Sequence, residues 1–382
     1  MASVSQSQHL LRLSRSIVGE AEAAAVSRVI TQSGYLGMGD EVRLFEEEVA
    51  AYLGVPPERV MAVNTGTAAL HLAMESALEP GSEVLIPSMT FVASFQAALD
   101  AGCVPVPCDI DPTTGLLDLA DAARRITPAT RAVMPVHYAG NPALLDTVYD
   151  FAAAHGLRVI EDAAHAFGST HAGRKVGSFG DIVCFSFDGI KNITCGEGGV
   201  VVTPDQTVAQ RVRDARLLSV ENDTEKRYTG SRSWDFDVKR RGFRYHMSNL
   251  MAAIGRVQLT RLESEFIPAR RGLVRIYHDR LKDAPGLALL NMDISAVVAH
   301  IYPARILNER RAALTAHLQS QGIPTGIHYK PNHLLTLFGG GRVKLPQAEA
   351  LGRELTTLPL HPGLSDTDVH YICDVVLAGL TL

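Results

Sequence analysis

From Val60 to Asp162 the chain alternates short apolar runs with helical segments, at a spacing that few folds accept. Val60-Met-Ala-Val-Asn64, Glu83-Val-Leu-Ile-Pro87, Val104-Pro-Val-Pro-Cys-Asp109, Ala132-Val-Met-Pro-Val136 and Arg158-Val-Ile-Glu-Asp162 read as strands. Helical patterns separate them: an alanine-rich stretch after Thr65, a segment from Ser88 through Leu99, Asp118 to Arg125, and Leu144 to His155. This alternation predicts an α/β chain with a mainly parallel sheet wrapped by helices. Ligands of such sheets collect at the carboxyl ends of the strands, so the residues that close each apolar run are the candidates for chemistry.

The next such place lies further on. Ile182 to Phe187 reads as a buried strand and Val200-Val-Val202 as another, and between them stands Lys191 in a glycine-rich turn ending Gly196-Glu-Gly-Gly199. An amine flanked by core-forming residues has its pKa pushed down towards a nucleophilic form. That is the property a lysine needs to condense with an aldehyde cofactor. Taken alone, a loop lysine is more commonly a surface residue.

Length and composition narrow the classes. The chain has 382 residues, 46% hydrophobic and 20% charged, ordinary for a globular protein. That is too long for one small core, and a large domain (1–255) with a smaller C-terminal one (256–382) is expected. A formal charge of −5 gives no electrostatic reason to expect nucleic acid or an anionic membrane as partner. The five cysteines, Cys103, Cys108, Cys184, Cys195 and Cys373, show no Cys-x-x-Cys spacing. They read as free thiols of a reducing compartment, and no metal site is expected. The polar start, Met1-Ala-Ser-Val-Ser-Gln-Ser-Gln-His, lacks the layout of a secretion signal, and no apolar run approaches a membrane span. A cytoplasmic location is expected.

Other stretches carry readings with alternatives beside them. Val60 to Asn64 runs into Thr65-Gly66-Thr67-Ala68, and a strand, a Gly-Thr turn and a helix start together form an anion site, or simply a strand-to-helix turn. Phe91, at a strand exit, stacks on a flat ring or belongs to the core. Asp162, in Ile160-Glu-Asp-Ala-Ala-His165-Ala-Phe-Gly168, catalyses, caps or turns. Helices are expected over Gly19 to Thr31, Asp40 to Leu53 and Thr203 to Leu218. Glu221 to Arg244 reads as a long exposed loop holding the only tryptophan, Trp234. Seven basic residues (Lys226, Arg227, Arg232, Lys239, Arg240, Arg241, Arg244) face five acidic ones in it, so it is a solvated loop, an anion binder or a subunit contact. Asn249 to Phe266 is helical, with a bend or end at Ile267-Pro268, and Arg270 to Leu281 continues helical. A strand from His300, a helix from Arg310 to Gln321, a strand over Thr325-Gly-Ile-His-Tyr329, a segment from Glu349 to Leu355 and a closing helix from Thr367 complete the smaller domain.

The ordered set Asn64-Thr-Gly-Thr-Ala-Ala-Leu-His-Leu, Pro87-Ser-Met-Thr-Phe-Val-Ala-Ser, Glu161-Asp-Ala-Ala-His-Ala-Phe-Gly and Gly177-Ser-Phe-Gly-Asp through Lys191 to Gly-Glu-Gly-Gly199 closely resembles the DegT/StrS-type family of pyridoxal-phosphate-dependent sugar aminotransferases. The likeness runs from about Gly19 to the C-terminus and includes Ser33-Gly-Tyr-Leu-Gly-Met-Gly39 and Gln321-Gly-Ile-Pro-Thr-Gly-Ile-His-Tyr329. It implies the type I aminotransferase fold and a homodimer with shared active sites.

By that resemblance Lys191 is the Schiff-base lysine and proton carrier, and Asp162 pairs with the pyridinium nitrogen of pyridoxal 5'-phosphate. Gly66, Thr67 and Ser186 hold the phosphate, with Ala68 also among the cofactor-binding residues, Phe91 stacks on the ring, and His165, at a position often Gln in the family, donates near the phenolic oxygen. The sugar site combines Tyr35, the basic loop before Arg244, and His328-Tyr329. Two positions bear on the transfer. Where the family often has Gly-x-Asn-Tyr-Arg-Met, with an Asn that reaches across the dimer to the phosphate, this chain has Gly242-Phe-Arg244-Tyr-His246-Met247; a cationic, multidentate Arg244 suits the same target. The dehydratase branch replaces the lysine by His, and Lys191 disfavours it.

The implied reaction moves an amino group from L-glutamate, through the pyridoxamine form of the cofactor, to a ketone on a nucleotide-linked sugar. The residues around Lys191 resemble the C4-aminating branch, so a 4-keto-6-deoxy hexose on dTDP or UDP is favoured. Amination at C3, desulfuration through Cys195, and a non-catalytic regulatory protein on this fold are the competing readings.

Overall fold

The computed structural model describes residues 11–220, 223–229 and 235–381. Met1 to His9, Glu221, Arg232 and Trp234, on which parts of the sequence reading fall, lie outside the described residues.

After helices α1 (Glu20–Arg28) and α2 (Asp40–Leu53), strand β1 (Val60–Val63) leads into α3 (Gly66–Ala77). Then follow β2 (Glu83–Pro87), α4 (Val92–Asp100), β3 (Val104–Cys108), α5 (Leu119–Arg124), β4 (Thr130–Val133), α6 (Leu145–His155) and β5 (Arg158–Asp162). A small hairpin, β6 (Thr170–His171) with β7 (Arg174–Lys175), precedes β8 (Ile182–Ser186) and β9 (Gly199–Val202). The seven-stranded sheet has the order β1-β9-β8-β5-β4-β2-β3. Within it β9 runs against its two neighbours, and the pairings β2–β3, β2–β4, β4–β5 and β5–β8 are parallel. The mainly parallel sheet expected from the sequence is present.

Both faces of this sheet are covered, which explains why its strands read as nearly continuous apolar runs. Alternate residues take opposite sides. Val60, Ala62, Val183, Phe185 and Val200 pack with Phe45 and Phe266 on one face. Met61, Val63, Ile182, Cys184 and Val201 pack with Leu70, Leu72 and Phe95 on the other. A separate core runs from Leu273 to Leu380 around the antiparallel sheet of β10 (Leu287–Leu289), β11 (Tyr302–Ile306) and β12 (Leu355–Leu358).

The later helices are α7 (Gln206–Ala215), α8 (Asp223–Tyr228), α9 (Asn249–Arg261), α10 (Ile267–Leu281), α11 (Arg311–Ser320), α12 (Pro346–Glu354) and α13 (Asp366–Thr381). No helix among the described residues is long and apolar enough to cross a membrane.

Three expectations are corrected. The segment 221–244 is not all loop, because α8 interrupts it. Tyr228 of α8 donates to Glu46 Oε2 at 2.7 Å, and the fully buried Arg216 reaches the same phenol at 3.2 Å and Glu46 Oε1 at 2.5 Å. That tertiary anchor is invisible in a charge-rich sequence. The stretch from Asn249 does not end at Pro268: a π-helical turn (Leu262–Phe266) carries the chain into α10, where Pro268 sits in the first turn, a position that suits its fixed φ. Thr325 to Tyr329 forms no strand and makes only an isolated bridge, Gly326 to Thr357. Pro324 precedes it, and His328 and Tyr329 line a cavity instead, while Ile327 is exposed.

Candidate active site

That cavity, about 480 Å³, opens at the carboxyl ends of β1, β2, β5 and β8. Its first wall is the start of α3. Thr65 caps the helix, its hydroxyl accepting from Ala68 N at 2.9 Å, which leaves the N–H groups of Gly66 and Thr67 at the positive helix end without helical partners. Gly66 is required by close approach, since a Cβ there would fall 2.6 Å from Ser186 Cβ. Its absence brings the end of β8, with the Ser186 hydroxyl, against the helix start. A hydrogen at Gly199 likewise avoids a Cβ placed 2.4 Å from Thr65 O.

Asp162 ends β5 and is buried. Its Oδ2 accepts from Ser94 Oγ at 2.6 Å and its Oδ1 from Ala164 N at 3.2 Å. With the Ser94 proton committed to the carboxylate, Thr90 Oγ1 is the donor of the 2.8 Å bond between Thr90 and Ser94. His165 Nε2 lies 3.0 Å from the Tyr329 hydroxyl. Burial holds the Tyr329 phenol well above its ordinary pKa, with Asp162 and Asp188 adding to the effect, so it keeps its proton. Burial, then the nearby Lys191, pushes His165 well below its ordinary value. A neutral His165 that accepts from Tyr329 at Nε2 carries its own proton on Nδ1, a buried atom with no partner among the described residues.

Lys191 stands opposite. The turn that presents it is held by Lys191 N donating to Asp188 O at 3.0 Å, and by Asn192 Nδ2 donating to Phe167 O at 2.9 Å and Val298 O at 3.0 Å. Burial pushes the Lys191 amine down to about 8, against the opposing pull of Asp188 and Asp162, and Arg270 adds to the lowering. Nζ is 3.5 Å from His300 Nε2.

The donor set fits pyridoxal 5'-phosphate. Helix N–H groups and two hydroxyls suit a phosphate. An oriented carboxylate suits a ring nitrogen, the unpartnered His165 Nδ1 suits a phenolic oxygen, and an amine of lowered pKa suits a carbonyl.

Of the residues expected from the sequence, Gly66, Thr67, Phe91, Asp162, His165, Ser186, Lys191, His328 and Tyr329 all line this cavity. Phe91 is 55% exposed, so its ring is free towards the opening, and it lies 5.6 Å from the Tyr329 ring. Ala68 does not line the cavity; its methyl packs in the core and its N–H is taken by Thr65. Tyr35 and Arg244 also lie outside it. Tyr35 is held through its carbonyl by Asn249 Nδ2 at 2.8 Å, and Arg244 bridges to Leu217 and accepts at its carbonyl from Asn64 Nδ2 at 3.4 Å, just past the end of β1. Cys195 is buried against Gly255, away from the cavity, and burial pushes its thiol up, so it offers no accessible thiolate.

Thr65, Thr90, Asp188, Glu197 and His300 line the cavity without having been singled out, and Ser94 supports Asp162 from behind. Thr90 and Ser94 stand within the expected strand-exit motif, where polar residues one helical turn apart were the available signal. His300 carried no signal beyond opening a strand.

Residues 17–377 match the model of the DegT/DnrJ/EryC1/StrS aminotransferase family. A dTDP-4-dehydro-2,3,6-trideoxy-D-glucose 4-aminotransferase of Saccharopolyspora spinosa is 37% identical over 372 residues, covering 96% of this chain and 95% of the relative. The crystal structure of the aminotransferase TlmJ from Streptoalloteichus hindustanus superposes with a TM-score of 0.89 at 33% identity, over 97% of this chain and 99% of that one. A Streptococcus pneumoniae protein solved in its PLP form gives a TM-score of 0.87 at 27% identity, over 98% and 99% of the two chains.

Proposed function

The chain belongs to the DegT/DnrJ/EryC1/StrS aminotransferase family of pyridoxal-phosphate-dependent enzymes, and on that premise we propose that it transfers the amino group of L-glutamate to the keto carbon of a nucleotide-linked 4-keto-6-deoxy sugar, with dTDP-4-keto-6-deoxyglucose as the best candidate. The observation that carries the reaction class is Lys191, an amine held near pKa 8 in a cavity that also presents hydroxyl and imidazole groups and the buried carboxylate of Asp162. The preference for a C4 ketone on a dTDP-sugar is supported by the name of the 37% identical relative.

Bound in this cavity, pyridoxal phosphate supplies a carbonyl carbon that carries the amino group between substrates and a ring that takes up electron density. The chain's own groups do the rest. Gly66 N, Thr67 and Ser186 would hold the phosphate, and Asp162, held by Ser94 and Ala164, would present a fixed carboxylate to the ring nitrogen. Phe91 would offer its ring to a face of the cofactor ring, and His165 would donate from Nδ1. Lys191 takes up and returns a proton at Nζ; an amine titrating near working pH does both, and such general acid–base help contributes on the order of 10²–10⁴-fold. His328 and Tyr329 meet the sugar.

The active unit is a homodimer. The exposed apolar residues Val18, Ile30 and Leu36 support this, as does an apolar recess lined by Val18, Val26, Ile30 and Ile254. In the dimer Tyr35 and Arg244, which lie outside their own chain's cavity, serve the site of the second copy. Five buried free thiols support a reducing, cytoplasmic setting.

The test is the absorbance spectrum of the purified protein with pyridoxal phosphate, then with L-glutamate, then with dTDP-4-keto-6-deoxyglucose. A cofactor band that glutamate bleaches and the ketosugar restores supports the whole reading. Bleaching without restoration removes this sugar, and no band at all removes the assignment of Lys191.

A further inference from the structure

His300 stands where the smaller sheet meets the active-site lysine. It lies just before β11, and its Nε2 is 3.5 Å from Lys191 Nζ, at the long edge of hydrogen-bond range. Its imidazole is buried, and its centroid lies 4.6 Å from that of His165. Behind it, the fully buried Arg270 donates from Nη1 to the carbonyl oxygens of Ala299 and His300, at 3.2 and 3.3 Å. No carboxylate pairs with Arg270 among the described residues, and its Nε has no partner there. A buried guanidinium without an anion is costly, so its placement against these two carbonyls calls for a local reason.

We propose that His300 is a positioning residue for the Lys191 amine, accepting one N–H at Nε2 and so turning the nitrogen lone pair into the cavity, with Arg270 fixing the backbone from which the ring hangs. His300 Nδ1 has no partner among the described residues, so the contact at Nε2 alone sets the tautomer. The ring does not compete for the proton: burial, then Lys191, His165, Arg270 and His328, hold it well below its ordinary pKa. The groups bearing on Lys191 are Asp188 and Asp162, which favour its charged form, and Arg270, which opposes it; His165 and His328 are disfavoured as cations beside it. A neutral ring at this distance orients the amine and does not relay its proton.

The proposal rests on the aminotransferase reading only in taking Lys191 as the reacting amine, and it is independent of the sugar. The test compares full-length wild type, His300→Gln and His300→Leu, because a glutamine amide reaches the position of Nε2 and leucine offers no acceptor. After cofactor removal, the pH dependence of acetic anhydride labelling is followed by mass spectrometry of the Lys191 peptide, and kcat and KM are measured on the reloaded enzyme. Wild type and His300→Gln are expected to share one labelling midpoint. The His300→Leu midpoint is expected to fall by about one pH unit, because the ammonium form loses its acceptor, with kcat down roughly tenfold and the glutamate KM little changed. A His300→Leu enzyme with wild-type midpoint and kcat overturns the proposal, and so does a folded His300→Gln protein shifted as far as His300→Leu. Should circular dichroism show the leucine variant unfolded, His300→Gln decides alone: a wild-type midpoint supports the role and a displaced one overturns it. Failure of the ketosugar as substrate leaves the labelling result standing.

Discussion

Ser94 Oγ, on the first turn of α4, donates to Asp162 Oδ2 at the end of β5 across 2.6 Å. The bond fixes the carboxylate's rotation, and Thr90 Oγ1 in turn fixes the serine. Ser94→Ala removes a charge-assisted hydrogen bond from a buried group, a loss of about 1.5 kcal/mol or roughly tenfold in an equilibrium constant. Pyridoxal phosphate is therefore expected to bind about tenfold more weakly, read from an absorbance titration of the cofactor-free protein, and Ser94→Thr should recover most of it. An unchanged affinity would detach Ser94 from the cofactor site.

The lowered pKa of Lys191 makes a pH-dependent stability statement. An amine whose folded pKa of about 8 lies below its ordinary 10.5 is charged at a cost in the folded state, and that cost is fully present below about pH 8. Between the two values the unfolded chain binds more protons, so stability rises with pH and the cost is gone above the unfolded value. Lys191→Met is expected to stabilise the cofactor-free protein at pH 7, by at most ~3 kcal/mol. Urea melts at pH 7 and pH 10 check this, and a gap that does not narrow at the higher pH would contradict it.

Gly66→Ala places a methyl 2.6 Å from Ser186 Cβ and forces β8 and the helix start apart. Overpacking of this kind costs about 1–3 kcal/mol. The expected result is a lower melting temperature together with cofactor affinity reduced more than the stability loss explains, because the phosphate donors on both elements move. A melting temperature lowered with affinity intact would place the phosphate elsewhere.

The buried pair of Glu46 and Arg216 holds α2, β1 and α8 together: Glu46 also accepts from Ala62 N at 2.7 Å, and Arg216 Nη1 donates to Ala62 O at 2.7 Å. Glu46→Ala strands the guanidinium and is expected to cost about 3–5 kcal/mol in a urea melt, whereas Tyr228→Phe should cost only about 1 kcal/mol. Limited proteolysis near α8 should nonetheless quicken in Tyr228→Phe, since the phenol ties α8 to Glu46 and Arg216, alongside the bond from Thr224 Oγ1 to Arg213 O. Equal costs for the two variants would mean that the phenol and the carboxylate act as one unit.

Much of the site was legible because chemistry in a parallel sheet gathers where strands end. Asp162 and Ser186 close apolar runs, Gly66 and Thr67 open a helix, and Lys191 interrupts two strands; each carries a local signal, and the fold brings all of them to one cavity. His300 carries none, and Ser94 only its spacing from Thr90. One is a histidine just before the central strand of the smaller sheet and the other a serine in an apolar helix, and only the packing of distant segments brings the first to Lys191 and the second to Asp162. The charge-rich stretch after Val220 misled for the same reason: Arg227 and Tyr228 read as solvated until Asp223, Glu46 and Arg216 are placed beside them.

By itself, then, the sequence determined what short-range periodicity and strand-end chemistry can encode: the wrapped, mainly parallel sheet, the turn that presents Lys191, and the Gly-Thr turn that opens a helix at Gly66. Tertiary structure alone decided the protonation states and the second ring of contacts. Those depend on how much water is excluded and which charges converge from segments remote in the chain. Burial is what lowers Lys191 and keeps His165 and His300 neutral, and no local pattern of residues records it.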